Sequence, residues 1–245
     1  MVGSVTPLII LMSVAAFAQT ADRPGFEVAS VKVGQPGRPA MITEPGSLTF
    51  RSQRLITCIA WAYDVAEYQI SGPSWMNDVS VDIVAKASTP AKEPELRVML
   101  QTLLADRFKL ELHRQTKELN AMILTVGKGG SKLEPTETIG APSFKTGKMN
   151  LTGQGATVAE MTRFLSRELH MPIVDQTGLT GHYNYFLDIA SYVTEEMQKS
   201  PGPPPEANSI VAQAMQAQLG LKLEAKKAPV EMLVIDHVEK TPAEN

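Results

Sequence analysis

The sequence predicts an α+β protein built from two similar β-α-β-β-α-β-β units, with mostly antiparallel sheets and helices packed on one face. Two observations lead to this prediction. Apolar residues alternate with polar ones in short segments, as in strands, and recur every three to four residues in longer segments, as in helices. The same order of segments occurs twice, because residues 147–238 repeat the pattern of residues 46–126. Each unit includes the β-α-β-β-α-β order of ferredoxin-like connectivity.

The first unit covers residues 26–127. Its first strand is predicted at residues 26–33, where the alternation is clean, and a Gly- and Pro-rich loop follows over residues 34–45. The last two strands are expected to form a hairpin that turns near residues 117–120. The other predicted elements are strands at 47–50, 68–70, 81–85, 108–113 and 121–126, and helices at 55–63 and about 96–104, whose apolar residues share one face.

A linker is predicted over residues 128–146, which are rich in Gly, Pro, Lys and Thr. The second unit follows at residues 147–240. Thr157 is placed to cap the helix after it, because a Thr side chain can accept a hydrogen bond from the first helical turn. The correspondence with the first unit sets Leu55 on Val158 and Ile70 on Ile173. The predicted elements are strands at 147–151, 173–174, 183–188, 221–224 and 231–235, and helices at 157–169 and about 210–219.

The segment 173–188 of the second unit predicts a short strand, a tight turn and a second strand paired with the first. Asp175 and Thr177 can hydrogen-bond the turn backbone, and Gly178 can adopt the positive φ that such turns often require. The simpler interpretation of Asp175 is therefore a residue that stabilises the turn. The residues expected to contact a ligand or partner are Asp175, Thr177, Thr180 and His182 in this segment, and Trp75 on the loop of the first unit.

Composition and motifs exclude several classes of protein. The net charge of −3 provides no basic field for nucleic acid, and aromatic residues, at 6%, are too few for a large base-stacking surface. None of the four histidines stands at a metal-ligand spacing such as His-x-x-x-His, so no metal and no cofactor is predicted. The nucleophile and phosphate-loop motifs of hydrolases and nucleotide-binding proteins are missing from the sequence as well.

Residues 1–18 predict a cleaved export signal. They contain an uncharged apolar core and end in a small-x-small pattern, so cleavage is expected between Ala18 and Gln19. The apolar run is shorter than the roughly 20 residues of a membrane span, and no transmembrane anchor is expected after cleavage. The mature protein is therefore predicted to be periplasmic or secreted. Its one cysteine, Cys58, is expected to be a buried apolar residue because it stands on a helical apolar pattern.

Six segments resemble the "soil-associated" family of exported bacterial proteins, which is defined by a domain of unknown function. The segments are FEVASVK (26–32), IAWAYDV (59–65), YQISGPSW (68–75), LLADRFKL (103–110), VDQTGLTG (174–181) and APVE (228–231). The resemblance implies no established activity, ligand or catalytic residue. Some relatives carry the domain attached to a membrane metallopeptidase of the β-lactam-sensor type, which implies a sensory role. Relatives usually have Ser or Thr where this chain has Arg54, so the first helix lacks that cap.

The function expected from these features is that of a non-catalytic binding or sensory module in the cell envelope or outside the cell. Its partner would be an unknown protein or a small-molecule ligand, and the cleft between two like units is the default position of a ligand site. Two alternatives stay open. One is a hydrolase that uses dispersed Asp and His residues near the turn at 177–183, and the other is an envelope scaffold subunit. No catalytic residue is assigned.

Overall fold

The computed structural model describes residues 23–35, 37–137, 142–193 and 207–244. The predicted export signal and its cleavage site between Ala18 and Gln19 lie outside the described residues. Below, the first half means the described residues up to 127, and the second half means those from 128 onwards.

The described residues form four α-helices and twelve strands, which confirms a mixed α+β fold with mostly antiparallel sheets. The helices are α1 (Leu55–Ala62), α2 (Glu93–Phe108), α3 (Val158–Glu168) and α4 (Ala207–Ala214), and a π-helical turn (Met215–Leu219) continues α4. The strands are β1 (Val28–Val33), β2 (Ala40–Glu44), β3 (Ser47–Arg54), β4 (Ile70–Ser71), β5 (Ser80–Lys86), β6 (Glu111–Val126), β7 (Glu134–Pro135), β8 (Ser143–Thr146), β9 (Asn150–Ala156), β10 (Ile173–Asp175), β11 (Tyr183–Asp188) and β12 (Leu221–His237).

A central sheet of order β10-β6-β12-β4 combines strands from both halves. Its two long strands, β6 and β12, run antiparallel from the Leu221–Val126 pair to the His237–Glu111 pair. The short strand β4 of the first half lies parallel to β12, which belongs to the second half. Conversely, β10 of the second half lies parallel to β6 of the first half. Each half therefore supplies an edge strand to the long strand of the other.

The predicted hairpin that turns near residues 117–120 is wrong, and the two strands predicted at 221–224 and 231–235 are parts of the one strand β12. Residues 117–120 contain no Gly or Pro, and each of them pairs with a residue of β12, so the chain continues straight through the expected turn. Pro229 lies inside β12 opposite Glu118. This position tolerates a proline because β4 covers β12 only at Leu233 and Val234, which leaves β12 an open edge at Pro229.

Two outer sheets, of order β1-β5-β3-β2 and β7-β11-β9-β8, flank the central sheet. The ferredoxin-like sheet expected for each unit is not found, because β3 and β5 lie in an outer sheet whereas β4 and β6 lie in the central one. The stretch 34–45, predicted as a loop, contains β2, and the stretch 128–146, predicted as a linker, contains β7 and β8. These strands were missed because they are short and lie among Gly and Pro residues.

Each half has its own apolar core, and each core is completed by a long strand of the other half. The first core packs α1 and α2 against the first outer sheet and includes Ile235 of β12. The second core packs α3 and the π-helical turn against the second outer sheet and includes Met122 and Leu124 of β6. Cys58 is fully buried in the first core, as predicted. Within the described residues, no helix has both the length and the apolar character needed to cross a membrane.

The starts of α1 and α3 differ in the way the sequence predicts. Thr157 accepts a hydrogen bond from the Glu160 N–H at 3.2 Å, and the Glu160 carboxylate accepts one from the Thr157 N–H at 2.8 Å. This reciprocal pair is a capping box, so the predicted cap is confirmed. The Arg54 side chain makes no capping hydrogen bond to α1.

Candidate functional site

The turn that carries most of the predicted contact residues stabilises itself. The Asp175 carboxylate accepts hydrogen bonds from the Thr177 N–H at 2.9 Å and from the Thr177 hydroxyl at 2.8 Å. The Thr177 oxygen in turn accepts the Leu179 N–H at 3.2 Å. The strands on either side are not paired as predicted, because β10 belongs to the central sheet and β11 to the second outer sheet. The turn therefore connects two sheets, and its Asp and Thr have a structural role there.

The other predicted contact residues are not brought together into one site. Thr180 is exposed, and His182 Nδ1 lies 3.1 Å from the Gly155 carbonyl oxygen, to which it can donate. Trp75 lies in a 3₁₀ turn (Ser74–Asn77) and is half-buried against the first core. Its main role is therefore packing rather than contact with a partner. The prediction of an exposed contact at Trp75 has no support from this position.

A concave site instead lies where α1 and α2 of the first half meet α3 of the second. We call it the arginine cleft, and its volume is about 300 Å³. Its residues come from the start and end of α1, the 3₁₀ turn after α1 (Glu67–Gln69), one face of α2 and the end of α3. The lining includes Met41, Arg54, Thr57, Ala60, Trp61, Val65, Ala66, Glu67, Tyr68, Arg97, Arg167 and His170.

Asp64 joins the two halves at the border of this cleft. It follows the end of α1 with a φ of +52°, a left-handed conformation that Asp adopts more readily than most residues. Its carboxylate accepts hydrogen bonds from Arg163 Nη1 at 3.0 Å and Arg167 Nη2 at 2.6 Å, both on α3. Arg97 Nη1 on α2 lies 3.4 Å from the same carboxylate. One acidic residue is thus shared by three guanidinium groups.

Arg97 is held in place from several sides. Its guanidinium lies 4.6 Å from the centre of the Trp61 ring, in the geometry of a cation–π contact. It also donates to the Trp61 carbonyl and to Glu93 one helical turn earlier, at 2.6 Å from Nη2. Only 16% of its side chain is exposed, so the Arg97–Trp61 pair forms a preorganised wall of the cleft.

A second ion pair and a tyrosine also line the cleft. Arg54 Nη2 donates to both carboxylate oxygens of Glu67, at 2.7 and 2.8 Å, and the Thr57 hydroxyl donates to Glu67 at 2.6 Å. Tyr68 lies beside Ser166 on α3, at the junction of the two halves. Burial raises the pKa of the Tyr68 hydroxyl, while the Ser166 hydrogen bond and the Arg167 charge oppose that effect. The tyrosine is therefore a neutral donor at ordinary pH.

The charges of the cleft leave a local positive excess. Arg54 is balanced by Glu67, and Arg97 is balanced by Glu93. Arg163 and Arg167 share the single carboxylate of Asp64. They also stand one helical turn apart on α3, where like charges repel each other. In these ion pairs four arginines contact three carboxylates, so one positive charge is unmatched, and Arg167 is the member of the sharing pair that lines the cleft.

A second concave site lies directly beside the first. Its volume is also about 300 Å³, and it shares Ala66, Tyr68 and Arg167 with the arginine cleft. Its floor is the central sheet at Pro229, Val230 and Glu231, and its wall is α3. Thr162 and Ser166, the only buried polar residues among those that the structure describes, face it from α3. Arg167 thus stands between two neighbouring depressions.

The sequence reasoning missed Asp64, Arg97, Arg163 and Arg167. One signal was present, since Arg163 and Arg167 are like charges at i and i+4 on a predicted helix, and a nearby anion would relieve their repulsion. The sequence does not say which anion, because Asp64 is far away along the chain. In the described part of the chain, no three His, Cys, Asp or Glu side chains are grouped closely enough to hold a metal ion.

Comparison with known proteins gives a family and no activity. No curated protein matches the chain, and no solved structure matches it. A family profile described as "Protein of unknown function (DUF3738)" matches residues 56–238. The match covers both halves and includes Trp61, Asp64, Arg97, Arg163 and Arg167, whereas Arg54 lies just before it. The chain therefore belongs to the DUF3738 family of proteins of unknown function.

Proposed function

We propose that the protein is an exported, non-catalytic binding module of the cell envelope or the extracellular space, and that the arginine cleft holds a small-molecule ligand. The export part of the proposal is supported by the apolar segment at residues 1–18 and its cleavage pattern before Gln19. A sensory role, in which ligand binding is passed on to a partner, belongs to the same proposal.

The convergence of both halves on one concave site carries the proposal. Trp61, Tyr68 and Arg97 come from the first half, and Arg167 and His170 come from the second. Small-molecule sites are usually concave, largely preformed and placed where two structural units meet. The hydrogen bonds of Arg97 and Glu67 fix two of the polar groups before any ligand arrives. A preformed site loses less conformational entropy on binding.

Binding is favoured over the hydrolase alternative by what the acidic groups contact. Glu67 accepts hydrogen bonds from Arg54 and Thr57, which occupy its carboxylate oxygens. Near the turn at 177–183, Asp175 is bonded to Thr177 and His182 lies beside a backbone carbonyl. A general acid or base needs a proton-carrying group free to face the substrate. The contacts of these residues point to structure and charge rather than to proton transfer.

The scaffold alternative is favoured by one separate feature, the apolar side chains on the outer sheets. Val84 and Phe186 are more than half exposed, and each stands opposite a threonine on the neighbouring strand, Thr49 and Thr152 respectively. Self-association through these faces would appear as a concentration-dependent mass in analytical ultracentrifugation. A monomer at all concentrations would count against a scaffold built from copies of this chain.

We also propose that the chain is an internal duplication of one unit. The two outer sheets support this, since their orders match strand for strand when β1, β2, β3 and β5 are set on β7, β8, β9 and β11. The edge strands β4 and β10 each run parallel to a long strand of the opposite half. Superposition of residues 46–126 on residues 147–238 is the direct check, and a poor fit of the equivalent helices would count against it.

The function is tested on mature protein recovered from the exported fraction of the cell. We expect its intact mass to match a chain that begins at Gln19. We also expect at least one compound of a small-molecule library to raise the melting temperature, because a ligand that binds only the native state stabilises it. Arg167→Ala should abolish the shift. Arg51→Ala is the matched control, since Arg51 is exposed on β3 outside the cleft. If the ligand still raises the melting temperature of Arg167→Ala, it binds outside the arginine cleft.

A further inference from the structure

We infer that the ligand of the arginine cleft carries a carboxylate or phosphate group on a planar apolar body. This inference rests on the proposed function, because it specifies the ligand of the same site. It combines two features of the cleft, which are its local positive excess and its aromatic wall.

Arg167 provides the anchor for the anionic group. Its side chain donates to Asp64 through Nη2, which is the only side-chain hydrogen bond of Arg167 to the described residues, and 43% of the side chain is exposed. A guanidinium group has five N–H donors in a planar fork that matches carboxylate and phosphate oxygens. The positive excess arises because Arg163 and Arg167 share the one carboxylate of Asp64. An anion bound at Arg167 would remove this excess.

The aromatic wall provides the place for a planar apolar body. Trp61 is fixed by the Arg97 guanidinium over its ring and by an edge-to-face contact with Phe50 at 5.5 Å. Met41, Ala60 and Val65 add apolar surface beside it. Met41 is 44% exposed, so this surface is in contact with solvent when no ligand is present. Burial of such surface by an apolar ligand gains about 25 cal/mol per Å².

Asp64 acts as an internal competitor for the ligand's anionic group. Its carboxylate occupies the guanidinium groups that an incoming anion would otherwise use. The variant Asp64→Asn keeps the shape of the side chain, removes its charge and remains compatible with the positive φ. It should therefore strengthen anion binding, whereas a purely structural role of Asp64 would change only stability. An increase in affinity for the anion would therefore distinguish the competitor role of Asp64 from a purely structural one.

The experiment uses Trp61 fluorescence as the reporter. The chain has two tryptophans, so Trp75→Phe leaves Trp61 as the only one, and Trp75 packs in the first core away from the cleft lining. The probes are phenyl phosphate, benzoate and benzyl alcohol, which share a ring and differ in charge. We expect saturable quenching by phenyl phosphate or benzoate with an affinity about tenfold or more above that of benzyl alcohol. The stronger of the two acids identifies the anionic group.

Variants in the Trp75→Phe background complete the test. Arg167→Ala should weaken binding of the acidic probe about tenfold, Asp64→Asn should strengthen it about threefold, and Arg51→Ala should leave it unchanged. If Arg167→Ala does not fold, Arg167→Lys and Asp64→Asn provide the same comparison. Equal binding of benzyl alcohol and the acids would overturn the inference while leaving a small-molecule cleft in place. No quenching by any probe would also overturn it, and the library screen would then decide the proposed function by itself.

Discussion

At the scale of single residues, three positions have a left-handed backbone conformation that bears on the candidate site or on the turn at 175–179. Asp64 and His170 follow α1 and α3, respectively, and each has a φ of +52°. Both stand at the arginine cleft, Asp64 at its border and His170 in its lining. Gly178, in the turn between β10 and β11, has a φ of +70°, and a Cβ added to it would have nothing within 4 Å. The glycine is therefore needed for its conformation and not for close packing.

The first prediction concerns Gly178. Replacement by Ala should lower the free energy of unfolding by about 1 kcal/mol or more, because a left-handed conformation is strained for a residue with a Cβ. Gly178→Asn should cost less, since Asn tolerates this conformation better. Urea denaturation followed by circular dichroism measures the change.

Gly129→Ala is the matched control for this prediction. A Cβ added at Gly129 would also have nothing within 4 Å, but the φ of this residue is not in the left-handed region. Its replacement should be neutral or slightly stabilising, because Ala restricts the unfolded chain. Equal effects of the two substitutions would contradict a conformational role for Gly178.

At the scale of elements, α3 links stability to the candidate site. One face of α3 buries Val158, Met161 and Leu165 in the second core. Its other side carries Arg163 and Arg167 to Asp64 of the first half. These ion pairs are about half exposed, and pairs of this kind contribute only about 0–1 kcal/mol each. The position of α3 therefore depends mainly on its core contacts and its capping box.

The second prediction concerns the cap of α3. Thr157→Ala removes the side-chain oxygen that accepts the Glu160 N–H and should destabilise the protein by about 1 kcal/mol. The free energy of unfolding from urea titration gives the value. Thr102→Ala is the control, since the Thr102 hydroxyl donates only to a carbonyl of its own helix α2, and Ala is the better helix former. If Thr102→Ala lowered the free energy of unfolding as much as Thr157→Ala, that result would contradict the capping role of Thr157.

At the scale of the whole molecule, the central sheet couples the two halves. Each core includes side chains from the long strand of the other half, and each edge strand of the central sheet pairs with that strand. Neither half can lose its core without exposing part of the sheet that the other half packs on. We therefore expect the described halves to unfold together.

The third prediction uses Cys58 as a reporter of the first core. This thiol is 0% exposed, and burial raises its pKa, so it should resist a thiol reagent in the native state and react on unfolding. Leu165→Ala in the second core should cost about 2–5 kcal/mol. If unfolding is cooperative, Cys58 labelling and circular dichroism shift to lower urea by the same amount. Thr180→Ala, on the exposed part of the turn, is the control and should shift neither.

Independent halves would give a different result. In Leu165→Ala, the part of the circular dichroism signal that comes from the second half would then be lost at a lower urea concentration. The midpoint of Cys58 labelling would stay unchanged. Such a separation would contradict the coupling through β6 and β12.

Local patterns were sufficient for the helices and for several strands. The predicted helix around 96–104 lies within α2, the predicted strand at 81–85 lies within β5, and the Thr157 cap of α3 is present. These elements depend on the spacing of apolar residues and on hydrogen bonds within a few residues, which a sequence displays directly. The burial of Cys58 followed from the same periodicity.

The strand pairing of the sheets and the residues of the candidate site could not be predicted from local sequence patterns. Strand alternation shows which face of a strand is buried but not which strand it pairs with, so β4 and β10 were placed beside their chain neighbours and not beside β12 and β6. The same limit hid the ion pairs of Asp64 with Arg163 and Arg167, which lie about one unit apart in the chain.

The sequence by itself determined the α+β class, the helices with the Thr157 cap of α3, and the membership of the DUF3738 family. The tertiary structure alone decided that three sheets form, that β6 and β12 are continuous, and that both halves contribute to the arginine cleft. The physical reason is the range of the interactions. Helices and caps depend on neighbours in sequence, whereas sheet partners and shared charges depend on which distant segments the apolar cores bring into contact.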